Sequence, residues 1–152
     1  GGFTFFTDRI RDRLGIDFAR SNVLEIESGP NCGQLTGRMV HQPWGDICDG
    51  AEKRRTLLEV ASLLGIEASQ CIAVGDGAND LDMLGRAGLG IAFNAKTVLR
   101  EVADAAISVP YLDVVLFLLG VGRNDVEREH LTRADPPTAS SAEGSLGDQL
   151  DR

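Results

Sequence analysis

Apolar side chains follow a helical period in two segments of the first half of the chain. In residues 3–14 they are spaced three or four positions apart, which places them on one helix face, and Gly15 is the expected stop. These positions are Phe3, Phe6, Ile10 and Leu14. Residues 50–64 repeat the pattern before Gly65, with Leu57, Leu58, Ala61 and Leu64 on one face. We expect two helices here, and we expect Phe3, Phe5 and Phe6 to be core residues.

Short apolar runs mark strands in the second half of the chain. Residues 71–74 form a continuous run before a glycine, which suits a strand buried on both faces, as in a parallel sheet. Strands and helices alternate from residue 50 to 119, which predicts an α/β fold with a parallel sheet. The other predicted elements are strands at 90–93 and 106–109 and helices at 80–87, 97–103 and 112–119.

A hairpin and a polar tail complete the predicted organisation. Residues 23–27 and 35–40 are rich in branched side chains, and the glycine- and proline-containing residues 28–34 between them predict a turn. After Gly122 the chain becomes polar and acidic. We expect a last helix over 126–131 and a largely disordered segment from about Arg133. The predicted domains are therefore residues 1–122 and a tail at 123–152.

The composition narrows the classes of partner. Hydrophobic residues make up 43% and charged residues 25%, which are usual values for a soluble globular domain. The net charge of −8 argues against binding to nucleic acid, which needs a basic face, and against anionic membrane surfaces. The longest apolar run, 114–119, is too short to cross a bilayer. The three cysteines show no C-x-x-C spacing, so we expect neither a disulfide scaffold nor a zinc site, and a cytoplasmic protein.

The segment 73–81 carries the strongest chemical signal. An apolar strand leads directly into Gly75, Asp76, Gly77, Ala78, Asn79 and Asp80. Ligands bind at the carboxyl ends of strands in open parallel sheets, and two nearby carboxylates repel each other unless a cation lies between them. Mg²⁺ accepts one or two carboxylates together with waters and phosphate oxygens. The alternative is that Asp80 only caps the next helix and Asp76 only forms a turn.

Two weaker signals accompany this loop. Lys53 lies near the start of the helix 50–64, where a cation opposes the helix dipole and favours a compensating anion. The alternative is an exposed lysine whose ammonium reaches water. Gly1 and Gly2 precede the first helix, where free backbone N–H groups form an anion site.

Together these residues resemble the haloacid dehalogenase superfamily, and more closely the C-terminal part of phosphoserine phosphatases. The match covers about residues 1–122, and its final part is similar to actinobacterial members. The segments that carry it are 1–4, 22–26, Asp49 with Lys53, 75–80, 87–96, 99–105 and 110–120. The implied fold is a Rossmann-like parallel sheet of the haloacid dehalogenase type that lacks its N-terminal strands and most of its cap.

The resemblance also implies site residues and a mechanism. The family hydrolyses O-phosphoserine, in the last step of serine biosynthesis, through an aspartyl-phosphate, with Mg²⁺ and a lysine neutralising the phosphoryl group. On this basis Asp76 is the metal ligand, and Asp80 holds a metal-bound water or the lysine. Lys53 contacts the phosphoryl oxygens, Asn79 hydrogen-bonds the substrate, and Gly1 offers its backbone N–H. A homodimer of the full-length protein is compatible with the family.

The family's Asp-x-Asp-x-Thr strand, which supplies the nucleophile, has no counterpart in these residues. The chain starts at Gly1 without methionine, so we expect this strand upstream and expect the 152 residues alone to be inactive. Two alternatives stay open. One is a related magnesium-dependent phosphatase acting on another small phosphoester, and the other is a non-catalytic remnant.

Overall fold

The structure is a computed structural model and describes residues 2–133. The chain forms two compact units, Gly1–Leu112 and Asp113–Arg152. The helices of the first unit are α1 (Thr4–Leu14), α2 (Gly50–Leu64), α3 (Leu81–Leu84) and α4 (Thr97–Arg100). Its strands are β1 (Leu24–Ile26), β2 (Leu35–Met39), β3 (Ile72–Gly75), β4 (Leu89–Phe93) and β5 (Ala105–Ile107).

The predicted parallel sheet is confirmed. Strands β3, β4 and β5 pair in that order and run parallel, so their carboxyl ends share one edge. The central strand β4 contains the fully buried Ile91 and Ala92, the burial that a strand inside a parallel sheet requires. Ala73 of β3, Leu84 of α3 and Leu99 of α4 complete the core around it. This core supports the loop that follows β3.

The hairpin forms a second, separate sheet. Strands β1 and β2 pair antiparallel, with Leu24 opposite Met39, and the connection includes a 3₁₀ turn at Gly29–Asn31. Apart from this hairpin, Asn22 forms an isolated parallel bridge with Phe3 at the start of α1. The predicted hairpin is therefore confirmed, with strands slightly shorter than expected.

The ends of the two long helices are confirmed as well. Gly15 and Gly65 adopt left-handed φ angles of 65° and 67° directly after α1 and α2, a conformation that glycine adopts without strain. Helices α3 and α4 are shorter than predicted. Residues 85–88 turn back toward the sheet after α3, and the Gly88 N–H bonds to the Cys71 carbonyl at 2.9 Å to start β4.

The expectation that Phe5 and Phe6 belong to the core is wrong, because neither side chain is buried by the residues that the structure describes. Their exposed fractions are 59% and 61%, and Ile10 and Leu14 further along α1 are exposed too. The apolar period of α1 is real, but α1 contributes no residue to the buried cluster. On α2, Ala61 is buried and Leu57 packs on the core, whereas Leu64 is exposed.

An open apolar cavity of about 340 Å³ lies between α2 and β3; we call it the slot. Leu57 and Val60 of α2, Ile72 of β3 and Met83 of α3 supply much of its apolar lining. Within residues 2–133, β3 has a pairing partner only on its β4 side. Ile72 is 46% exposed, so the expectation that residues 71–74 form a strand buried on both faces is wrong for the face that carries Ile72. The slot is therefore bordered by a helix face and by an unpaired strand edge.

The second unit contributes two helices among the described residues, α5 (Val114–Leu118) and α6 (Arg123–Arg133). The helix expected over 126–131 is confirmed and is longer at both ends. The segment expected to be disordered falls at 134–152, outside the described residues. No helix within residues 2–133 has the length and apolar character that crossing a membrane requires.

Candidate active site

The candidate site lies at the carboxyl end of β3, where the strand passes into Asp76 and a 3₁₀ turn at Ala78–Asp80. Asp80 is 4% exposed and its carboxylate points back into the loop. Its Oδ2 accepts the backbone N–H groups of Asp76 at 3.1 Å and Gly77 at 3.2 Å. The carboxylate therefore closes the loop on itself instead of capping α3 with its side chain.

The second oxygen of Asp80 meets Lys53 from α2. Lys53 Nζ lies 2.7 Å from Asp80 Oδ1, and the lysine side chain is only 16% exposed. The interpretation of Lys53 as a solvent-exposed lysine is therefore wrong. The anion that compensates this cation near the start of α2 is, in this chain, the Asp80 carboxylate.

Several donors set the charge state of Asp80. Burial alone would raise the pKa of its carboxyl, but the Lys53 ammonium and the Gly77 and Asp76 N–H groups outweigh burial and lower that pKa below its ordinary value. Asp80 is thus an anion near neutral pH. A carboxylate that is charged at neutral pH and bonded to three donors suits a residue that holds a loop and a lysine in place.

Two glycines allow this close packing. A Cβ at Gly75 would lie 2.4 Å from Cβ of Asp80, and a Cβ at Gly50 would lie 3.0 Å from the Asn79 carbonyl oxygen. The Asp80 side chain therefore folds directly over the β3 backbone, while the first turn of α2 contacts the loop. These contacts bring residues 27 positions apart, Lys53 and Asp80, into one site.

The remaining predicted residues are placed as follows. Asp76 and Asn79 lie in the same loop and are exposed, and the Asp76 carbonyl accepts the Lys96 N–H at 3.4 Å. Gly1 lies outside the described residues. Lys53, Asp76, Asn79 and Asp80 thus share one end of the sheet, and their individual roles stay predictions.

This loop can supply only part of the ligand shell of a magnesium ion. Among the described residues no group of three His, Cys, Asp or Glu side chains could hold a metal ion. Asp80 is already bonded to three donors, whereas Asp76 presents its carboxylate to solvent. Because Mg²⁺ accepts one or two carboxylates and completes its shell with waters and phosphate oxygens, Asp76 can supply one ligand.

Sequence reasoning missed a buried ion pair beside the site. Glu52, the residue before Lys53, is 2% exposed, and its Oε1 accepts a hydrogen bond from Arg20 Nη1. Arg20 Nη2 also donates to Glu59 Oε2 at 2.8 Å, and the Trp44 ring lies 5.9 Å from its guanidinium carbon. The one available signal was that Glu52 and Glu59 are seven residues apart and so share a helix face.

Acidification should destabilise the fold through Asp80. Its pKa is 3.8 in the unfolded chain and lower in the folded one, so the unfolded state binds the proton first. The contribution of Asp80 to stability is complete above about pH 5, decreases as the pH falls past 3.8, and is lost below the folded-state pKa.

Unfolding free energies of the full-length protein and its Asp80→Asn variant, measured with denaturant between pH 7 and pH 3, check this expectation. The variant cannot titrate at this position and should show a shallower loss of stability in acid. Equal slopes for the two proteins would contradict a lowered pKa at Asp80.

The chain is similar in sequence to known proteins. A family model for haloacid dehalogenase-like hydrolases matches residues 46–117, which include α2, Lys53 and the whole 75–80 loop. A phosphoserine phosphatase of Albidiferax ferrireducens is 63% identical over 118 residues, which cover 78% of this chain and 48% of that protein. A phosphoserine phosphatase of Streptomyces coelicolor is 54% identical over 127 residues, covering 84% of this chain and 29% of that protein.

Solved structures show the same relationship. A phospho-aspartyl intermediate analogue of a phosphoserine phosphatase superposes with a TM-score of 0.69 at 37% identity, covering 78% of this chain and 53% of that one. The chain spans about half or less of the length of these relatives. By the matching family model, the identities and the shared fold, residues 46–117 match the haloacid dehalogenase-like hydrolases, and the chain is similar to a part of the phosphoserine phosphatases.

Proposed function

We propose that the complete protein containing these residues hydrolyses O-phosphoserine to serine and phosphate. The observation that carries the proposal is the contact between Lys53 and Asp80 beside the exposed Asp76, all at the carboxyl end of β3. The arrangement combines a fixed cation with an open carboxylate, as transfer of a dianionic phosphoryl group requires. The relatives named phosphoserine phosphatase support the choice of substrate.

Each residue then has a distinct role. Lys53 holds a positive charge where the phosphoryl oxygens gather negative charge, and Asp80 keeps its ammonium in that position. Asn79 offers an amide to the substrate, and the backbone N–H of Gly1 offers a second donor. Asp76 would hold Mg²⁺, which when bound supplies further neutralisation of the phosphoryl group.

We further propose that the slot receives the strand that carries the nucleophile. The slot is lined by apolar side chains of α2 and borders the unpaired edge of β3, so an extended segment can pair with that edge and cover Ile72. A strand lying parallel to β3 would end at the same edge of the sheet as Asp76. Its terminal aspartate would then attack phosphorus and form the aspartyl-phosphate as the phosphorus–oxygen bond to serine breaks and serine leaves with a proton. Water would next hydrolyse the aspartyl-phosphate to phosphate and free aspartate.

The test compares the full-length protein with the 152 residues alone. With Mg²⁺ and phosphoserine, we expect phosphate release from the full-length protein and none from the 152 residues.

Asp76→Asn in the full-length protein should lower the rate and raise the Mg²⁺ concentration required, by about tenfold or more, since even residues outside the metal's ligand shell contribute about 10–100-fold to affinity.

Other outcomes of this test would support a different function or contradict the proposal. Full-length activity on another small phosphoester, without activity on phosphoserine, would support a related phosphatase. Turnover by the 152 residues that is lost in Asp76→Ala would contradict the need for a further strand. A full-length protein that turns over no phosphoester would indicate a non-catalytic protein.

A further inference from the structure

A short buried segment, residues 20–22, links the starts of α1 and α2. Asn22 contacts the start of α1 through its backbone, where its N–H donates to the Gly2 carbonyl at 2.9 Å and its carbonyl accepts the Thr4 N–H at 3.0 Å. The Ser21 hydroxyl lies 2.6 Å from that of Thr7. Ser21 and Asn22 are 4% and 8% exposed, so these contacts with the start of α1 are buried.

The same segment contacts the start of α2 through side chains. Asn22 Oδ1 accepts the Cys48 N–H at 2.7 Å, and Arg20 bonds to Glu52 in the first turn of the helix. The N-cap Asp49 lies between these two contacts and accepts the Glu52 N–H at 2.9 Å. Residues 48–52 are therefore fixed from two sides immediately before Lys53.

The charge on Glu52 makes the Arg20 contact important. A carboxylate that is 2% exposed is costly to bury unless a cation accompanies it. Arg55 Nη1 lies 2.9 Å from Glu52 Oε2, close enough for an ion pair but not aligned as a hydrogen bond, and Arg55 is half exposed. Arg20 is the more buried partner, and removing it would leave the Glu52 charge inadequately compensated, so the first turn of α2 would have to move.

We propose that the buried ion pair between Arg20 and Glu52 positions Lys53 for the reaction, and that Arg20 is a positioning residue. The proposal rests on the proposed function. The pair fixes the turn of α2 that carries Lys53, and through residues 20–22 it ties that turn to the start of α1. The spacing between the two predicted phosphate-binding elements is thereby set by one segment that contains none of the predicted site residues.

The kinetic test uses the full-length protein and three variants. Arg20→Met should lower kcat for phosphoserine by about 10–100-fold with a smaller change in KM, because a displaced Lys53 stabilises the transition state less. Arg20→Met combined with Glu52→Gln should recover most of kcat, since the buried charge is gone. Glu59→Gln, which removes only the charge of the exposed partner of Arg20, is the matched control and should change kcat less than twofold.

A second readout needs no substrate. The Lys53 ammonium, bonded to a buried carboxylate, should give a slowly exchanging ¹⁵N NMR signal in the wild type and in Glu59→Gln. That signal should be lost or shifted in Arg20→Met and restored in the double variant. If Arg20→Met does not fold, Arg20→Lys should show the same changes to a smaller degree.

The outcomes separate the two proposals. An unchanged kcat and an unchanged Lys53 signal in Arg20→Met would overturn the positioning role, as would a double variant no better than the single one. A full-length protein inactive on phosphoserine would contradict the proposed function alone, because the NMR signal would still report whether Arg20 positions Lys53.

Discussion

Replacing Lys53 with alanine in the full-length protein should lower kcat by about 10²–10³-fold, the usual effect of removing one preorganised donor to the transition state. The ammonium is 2.7 Å from Asp80 Oδ1 and little exposed, and a water that entered the space left by the side chain would supply no positive charge. The loss of this cation would also leave the buried Asp80 carboxylate without its partner, which disturbs the loop that carries Asp76.

Steady-state phosphate release at saturating Mg²⁺ measures this effect. Arg54→Ala is the matched control, because Arg54 is the next residue of α2, is also cationic, and is exposed. The control should retain nearly normal kcat. A Lys53→Ala protein with kcat within threefold of the wild type would show that the site assignment is wrong.

The 152 residues expressed alone should be aggregation-prone or molten unless another strand fills the slot. The slot and the edge of β3 leave apolar surface in water, as do Phe5, Phe6 and Leu14 on α1. One aliphatic side chain contributes about 1.5–3 kcal/mol when buried, and total stability is only about 5–15 kcal/mol. A few such side chains left uncovered therefore exceed the usual margin.

Amide hydrogen exchange at residues 72–74 measures this instability. In the 152 residues we expect rapid exchange, together with strong binding of an apolar dye. The double variant Phe5→Ser, Phe6→Ser should bind less dye without gaining protection at β3, because these two residues are exposed on α1. Strong protection of residues 72–74 in a monomer would mean that the sheet is stable with its edge open.

The sequence predicted the elements whose signal is local. The apolar runs at 71–74 and 90–93 predicted the parallel strands β3 and β4, and Gly15 and Gly65 predicted where α1 and α2 end, because both signals depend on neighbouring residues only. The exposure of Phe5 could not be predicted in this way. The same helical period fits a buried or an uncovered face, and only the surrounding elements decide between them.

In the candidate site too, local signals were predictable and contacts between distant residues were not. The turn residues and the resemblance predicted that Lys53 and Asp80 belong to one site. Their direct contact depends on the packing of α2 against the loop after β3, which no local pattern shows. The pairing of Arg20 with Glu52 spans 32 positions and connects two elements with no shared motif. A glutamate in the first turn of a helix is also commonly exposed, so nothing local indicated that Glu52 is buried.

The lining of the slot also provides a native chemical reporter. Cys71, a half-buried free thiol directly before β3, borders the slot, whereas Cys32 is exposed beside the hairpin turn. A segment that pairs along β3 would shield Cys71 from an alkylating reagent and leave Cys32 reactive. The ratio of the two labelled cysteines, read by mass spectrometry, therefore measures the fraction of molecules with a filled slot without any introduced probe.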